Sequence, residues 1–149
     1  MSKRILVSSL IGVAVIGGIT AGGIAMASAG TQPTVENGSA RYVAPSDRGA
    51  GSLTFTADVS DDSGIRDLKV VAWPAGSELV PTEAELRHVE SAKCRSTSDG
   101  TARCTYTAKV AKKEEAGLAK GTWYVSALAT AKDGDTKFVS LAARFTVTH

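Results

Sequence analysis

Gly121-Thr122-Trp123-Tyr124-Val125-Ser126-Ala127-Leu128-Ala129-Thr130-Ala131-Lys132-Asp133-Gly134 is the longest clean strand signal in the chain. Trp123, Val125, Ala127, Ala129 and Ala131 form an unbroken apolar face, and Tyr124, Ser126, Leu128 and Thr130 a mixed one. That is the period of two of a β-strand, not the 3.6 of a helix. The stretch reads as a central strand with one face in the core. Its alanines let an opposing sheet approach closely, Trp123 fills the space at one end, and Asp133-Gly134 turns the chain at the other.

The same alternation recurs on both sides. Gly51 to Ser60 sets Leu53, Phe55, Ala57 and Val59 against Ser52, Thr54, Thr56 and Asp58. After the turn Asp61-Asp62-Ser63-Gly64, Ile65 to Trp73 carries Leu68, Val70 and Ala72 on one face and Val71 and Trp73 on the other, with Pro74 as its stop. Lys137 to Thr148 closes the pattern through Phe138, Leu141 to Ala143, Phe145 and Val147. Ala40 to Pro45 reads as a short edge strand, because Pro45 cannot donate to a ladder. Two helix-like interruptions stand out. Thr82-Glu83-Ala84-Glu85 after Pro81 is a capping box in a connection between sheets, and Ala111 to Leu118 holds the balanced charge run Lys112-Lys113-Glu114-Glu115, a solvated turn. Val89 to Cys94 and Thr101 to Val110 form two arms of a hairpin around Ser98-Asp99-Gly100. The count of about seven short strands predicts an all-β fold, an immunoglobulin-like β-sandwich, with a barrel as the alternative.

Ahead of this domain, Lys3-Arg4 is followed by an apolar, glycine-rich run from Ile5 to Met26 and by the small-residue site Ala27-Ser28-Ala29. Residues 1–29 therefore read as a secretory signal peptide, and the protein as secreted; an uncleaved N-terminal membrane anchor is the alternative. Residues 30–39 are polar apart from Val35 and read as a flexible leader, which leaves 40–149 as the β-sandwich domain. Asn37-Gly38-Ser39 also matches the N-glycosylation pattern.

Lys3 and Arg4 account for the whole formal charge of +2, since the 17 Lys and Arg less these two equal the 15 Asp and Glu in number. The exported chain is thus neutral, with the two signs interspersed. Nothing in it tracks a phosphate backbone, so nucleic acid is not an expected partner, and no stable membrane insertion is expected after cleavage.

The two cysteines, Cys94 and Cys104, follow an export signal and are too far apart for C-x-x-C, so a disulfide is the expected pairing. If Ser98-Asp99-Gly100 is a three-residue loop with Gly100 in the left-handed region, Thr97 faces Thr101 and Cys94 faces Cys104. By alternation, that places the cysteines as a non-hydrogen-bonded pair, where side chains stand closest.

Val59-Ser60-Asp61-Asp62-Ser63-Gly64-Ile65, followed by Gly121-Thr122-Trp123-Tyr124 and Ala129 to Gly134, resembles bacterial immunoglobulin-like repeats. Those repeats carry D-x-S-G-I early and G-x-Y…A-x-D-x-x-G late. The chain departs from them in its cysteine hairpin and its single domain. As a whole it resembles uncharacterised small exported proteins of actinobacteria, a resemblance that implies a fold and no activity.

Enzyme chemistry is not expected. The histidines are His88, beside the short helical turn, and His149 at the end, and no G-x-S-x-G, H-E-x-x-H, phosphate loop or dinucleotide fingerprint is present. No catalytic residue and no cofactor is assigned. Asp58, Asp61 and Asp62 after one strand and Asp133 and Asp135 after another would supply calcium oxygens if their turns met, against the reading that they cap their own turns. Trp73, Tyr106 and Tyr124 would form a sugar platform only if exposed and coplanar. The expected function is a non-catalytic binding or structural module for an unknown extracellular or cell-envelope ligand. Two alternatives are a secreted protease inhibitor acting through the loop between Cys94 and Cys104, and a hydrolase using His88.

Overall fold

Every alternating segment becomes a strand in the structure, a computed structural model that describes residues 32–148. The elements are β1 (Thr34–Val43), β2 (Gly51–Ser60), β3 (Ile65–Pro74), α1 (Glu83–Leu86), β4 (Lys93–Ser98), β5 (Thr101–Val110), α2 (Lys112–Glu115), β6 (Gly121–Ala131) and β7 (Thr136–Val147). They form two antiparallel sheets, ordered β1-β2-β5-β4 and β3-β6-β7. Seven strands in that order make a sandwich with the four-plus-three strand order of immunoglobulin constant-type domains, and β6 is central as its alternation requires. The expected signal peptide, residues 1–29, lies outside the described residues.

The predicted inward faces do meet. Leu53, Phe55, Ala57 and Val59 of β2 and Cys104, Tyr106, Ala108 and Val110 of β5 share one cluster with Leu68, Val70 and Ala72 of β3 and Trp123, Val125, Ala127 and Ala129 of β6. Large rings gather where β1 and β7 end and β6 begins. Phe145 stacks between Tyr42 and Trp123, at 6.3 and 6.0 Å between ring centroids. The Trp123 indole N–H finds the Ala119 carbonyl at 2.8 Å, so this bulky residue is buried without a stranded donor.

A second apolar cluster lies on the outer face of the three-stranded sheet. Val71 and Trp73 of β3 and Leu128 of β6 are covered there by Leu86 of α1. The helix is a single turn, and its capping box holds it in place. The Thr82 N–H donates to Glu85 Oε2 at 2.7 Å, and the Glu85 N–H donates back to Thr82 Oγ1 at 3.4 Å. Beneath it, the Trp73 indole N–H donates to Ser126 Oγ at 2.9 Å, and the Ser126 hydroxyl donates to the Ser140 carbonyl at 2.8 Å. A register shift between β6 and β7 at Val125/Ala127 coincides with this buried hydroxyl.

Three expectations are corrected. The stretch 30–39, read as a flexible leader, contributes Thr34 to Ser39 to β1, where Thr34 pairs with Ser60, Val35 with Val59 and Glu36 with Asp58. Few of its side chains are buried because backbone pairing, not an apolar face, holds it, so composition did not reveal it. The ladder then bulges at Asn37, whose φ is 54°, and its side-chain amide donates to Asp58 Oδ2 at 3.0 Å. At Gly38 the backbone approaches β7 so closely that a Cβ would stand 2.1 Å from the Ala142 carbonyl oxygen.

The second correction concerns Val89 to Cys94, expected as one hairpin arm. Its first part belongs to the other sheet. The Val70 N–H donates to the Glu90 carbonyl at 3.4 Å and the Ala92 N–H to the Leu68 carbonyl at 2.7 Å, so residues 90–92 cover the outer edge of β3 before the chain crosses to β5 at Lys93. Third, the hairpin closes at Ser98 and Thr101 around Asp99-Gly100, with a register shift between Ser96 and Ser98 in place of the expected Thr97–Thr101 pair. Gly100 is left-handed as expected, at φ 73°. The shift is confined to the tip, so Cys94 still faces Cys104.

Candidate functional site

The hairpin of β4 and β5 is where covalent chemistry, exposed charge and unpaired backbone coincide. Cys94 and Cys104 are bridged, with Cα atoms 4.0 Å apart. Antiparallel pairs this close are the non-hydrogen-bonded kind, so the cysteines occupy the register position expected of them. Cys104 is sealed in the core beside Ala57, its partner on β2, whereas Cys94 lies exposed on β4. The bridge thus ties a solvent-facing edge strand to the interior. All six residues of β4 are exposed.

On the outer face of this sheet, Lys93 stands opposite Thr105 and Arg95 opposite Arg103. With Cys94 and Thr97 they line one open depression. Arg103 reaches Asp58 Oδ1 at 3.0 Å, while Lys93 and Arg95 take part in none of the ion pairs among the described residues. Glu90, on the segment that covers β3, acts on Tyr106 of β5. The Tyr106 phenol ionises above its ordinary 10.0, first because burial penalises the phenolate and then because of the Glu90 charge. At the far end of the sandwich the Tyr42 phenol is raised likewise, by burial and then by Glu115.

The calcium candidates are partly brought together. The β2–β3 and β6–β7 turns do meet at one end of the sandwich, with the β4–β5 tip beside them. The Asp133 N–H donates to Ser63 Oγ at 3.1 Å, the Lys132 N–H to the Gly64 carbonyl at 2.9 Å and the Asp61 N–H to the Gly100 carbonyl at 2.8 Å. Their carboxylates serve these turns. Asp61 Oδ2 accepts from the Ser63 N–H at 2.9 Å and hydroxyl at 2.6 Å, and Asp133 Oδ1 accepts from the Asp135 N–H at 3.0 Å. Asp61 Oδ1 is buried without a hydrogen-bond partner. Asp62 sits exposed in the same turn, and Asp58 is engaged by Arg103 and Asn37. Among the described residues no three His, Cys, Asp or Glu side chains come together in a way that could hold a metal ion.

His88 lies exposed in the turn after α1, held by its backbone N–H on the Glu85 carbonyl at 3.2 Å. No described hydroxyl, thiol or carboxylate hydrogen-bonds its imidazole, and His149 lies outside the described residues. Trp73 and Tyr106 are buried, and Tyr124 tilts against Trp73 at 5.1 Å, so the aromatic candidates form no exposed coplanar platform. As for the inhibitor loop, Arg103 is paired on both sides, by Asp58 and by Arg95, and only Arg95 stands on a free edge. No helix among the described residues is long and apolar enough to cross a membrane.

The signal that sequence reasoning missed is the free edge of β4. It depends on the chain leaving β3 at residue 92, which no local pattern announces. A protein-family model, described as a family of unknown function (DUF5707), matches residues 35–129, from β1 into β6 and short of β7. No curated protein and no solved structure matches the chain.

Proposed function

The chain belongs to the DUF5707 family of unknown function, and on that premise we propose that it is a non-catalytic, immunoglobulin-like binding module of an exported protein, presenting the bridged β4–β5 hairpin to a partner outside the cell. The observation that carries this reading is where the disulfide lies. A bridge between the two sheets would mainly hold the core, as in domains whose disulfide joins facing strands. This one joins Cys104 of the interior to Cys94 of an edge strand whose six residues all face solvent. It therefore fixes the shape of a surface. Export is supported by the basic, apolar and small-residue succession of 1–29 and by the bridge itself, which persists in oxidising compartments.

The test uses the full protein recovered from the medium of the producing cell. Its N-terminus is read by mass spectrometry, and the protein is passed over fractionated envelope material beside the variant Cys94→Ala/Cys104→Ala. A chain starting at Gly30, with retention that weakens in the variant, is expected. Equal retention of both proteins would overturn the role of the hairpin. Turnover of any ester, amide or glycoside panel that disappears in His88→Ala would overturn the non-catalytic reading.

A further inference from the structure

We propose that the free edge of β4 takes an extended acidic peptide segment as a fifth strand of the four-stranded sheet; this rests on the binding-module reading above. The argument starts from backbone parity. With Cys94 and Cys104 a non-hydrogen-bonded pair at 4.0 Å, the N–H and C=O groups of Cys94, and of Ser96 two residues on, point away from β5. No backbone hydrogen bond outside the β4–β5 ladder reaches either residue among the described ones. Exposed edges of this kind pair with extended peptides, the main chain giving affinity and the side-chain alternation giving selectivity.

The other edge strands have neighbours. Residues 90–92 cover the middle of β3, and β1 packs against β7. The bulge at Thr97 then limits pairing on β4 to the stretch from Lys93 to Ser96.

Charge decides what kind of segment fits. Lys93 and Arg95 stand on one face, with Arg103 beside them on β5, and Arg103 alone is neutralised, by Asp58. A strand laid along β4 places alternate side chains next to those two cations, so acidic residues two apart are selected on that face, with small or apolar ones between them facing Cys94 and Ser96. A second copy of β4 is disfavoured as occupant, because antiparallel self-pairing sets Lys93 and Arg95 against like charges. A polyanion without amides would use the cations and leave the backbone groups unpaired. The bridge holds the edge in its pairing conformation beforehand, which lowers the ordering cost of binding.

The experiment measures fluorescence anisotropy of a short labelled peptide of alternating glutamate and valine added to the full secreted protein, with amide hydrogen exchange on the same complex. The expected results are saturable binding, slowed exchange at Cys94 and Ser96, and affinity reduced by about tenfold or more in K93E/R95E. A peptide N-methylated at alternate residues keeps its charge and is expected to lose about tenfold or more as well, since the pairing amides are blocked. Equal binding of the N-methylated peptide, or inorganic polyphosphate displacing the peptide without any protection at Cys94 and Ser96, would overturn strand addition in favour of plain charge attraction. A wild-type dimer in sedimentation that holds those two amides protected without peptide would overturn it in favour of self-pairing. Absence of peptide binding while the wild type is still retained on envelope material sinks this proposal and leaves the module reading standing; a wild type that binds neither the peptide nor envelope material sinks the two together.

Discussion

Replacing Cys94 and Cys104 together by alanine opens the only covalent link of the hairpin. The bridge spans a sequence separation of 10, and closing a loop of that size removes about 2.8 kcal/mol of chain entropy from the unfolded state. This is an upper value, because the Asp99-Gly100 turn already keeps the arms local. The site is asymmetric: Cys94 is exposed, and Cys104 is fully buried in the inter-sheet cluster. Alanine at 104 leaves a sulfur-sized gap, costing about 1 kcal/mol, whereas serine sets a hydroxyl in the apolar interior at a cost of about 1–3 kcal/mol. With a urea slope of about 1.5 kcal/mol/M, the alanine pair should lower the unfolding midpoint by up to about 2.5 M, and the serine pair by at least as much. The assay is urea unfolding followed by tryptophan fluorescence and by circular dichroism, whose β-type spectrum should survive in both variants before the transition. Native protein should show no titratable thiol. An unchanged midpoint would refute the bridge as a stabiliser of this fold, and a serine pair more stable than the alanine pair would refute the burial of Cys104.

Three further outcomes follow from named contacts. Ser126→Ala strands the buried Trp73 indole donor and should cost about 1–3 kcal/mol, while adding Trp73→Phe removes the donor too and should lose less than the sum of the singles; additive losses in urea midpoints would count against the Trp73–Ser126 bond. Gly100 and Gly134 both have positive φ, 73° and 98°, but a Cβ at Gly100 would stand 2.5 Å from the Asp61 carbonyl oxygen and one at Gly134 meets nothing within 4 Å. Gly134→Ala should cost about 1 kcal/mol of backbone strain and Gly100→Ala distinctly more, so equal melting temperatures for the two would be the contrary result. Tyr42 and Tyr106 ionise above 10.0 in the folded protein, chiefly through burial. Their contribution to stability is complete below the unfolded value and is lost as pH rises through the folded one, so stability should fall above about pH 10, and the Tyr42→Phe/Tyr106→Phe protein should fall less steeply over the same range.

The strands were legible because a strand's signature is local. Leu53, Phe55, Ala57 and Val59 announce their buried face through alternation alone, and the same holds for the face from Trp123 to Ala131. So was the capping box at Thr82, since its two partners lie three residues apart. The pairing of Cys94 with Cys104 was legible for a related reason: a tight turn sets the register of its own hairpin, and a slip at the tip did not carry down the arms. The place of Thr34 to Ser39 was not, because a polar strand held by backbone bonds has the composition of a loop. Nor was the use of Trp73, which alternation sets on an outer face and which only α1, folding back with Leu86, turns into a second core.

Sequence alone determined most of the strands, which of their faces are apolar, and that the cysteines meet. Tertiary structure decided what lies next to what: that residues 90–92 belong to β3, that the chain changes sheets at Lys93, and that β4 is therefore left with one side unpaired beside Lys93 and Arg95. The reason is physical. Side-chain periodicity is written along a few consecutive residues, whereas an edge is a property of which distant strand fails to arrive, and that is settled only when the two sheets have packed.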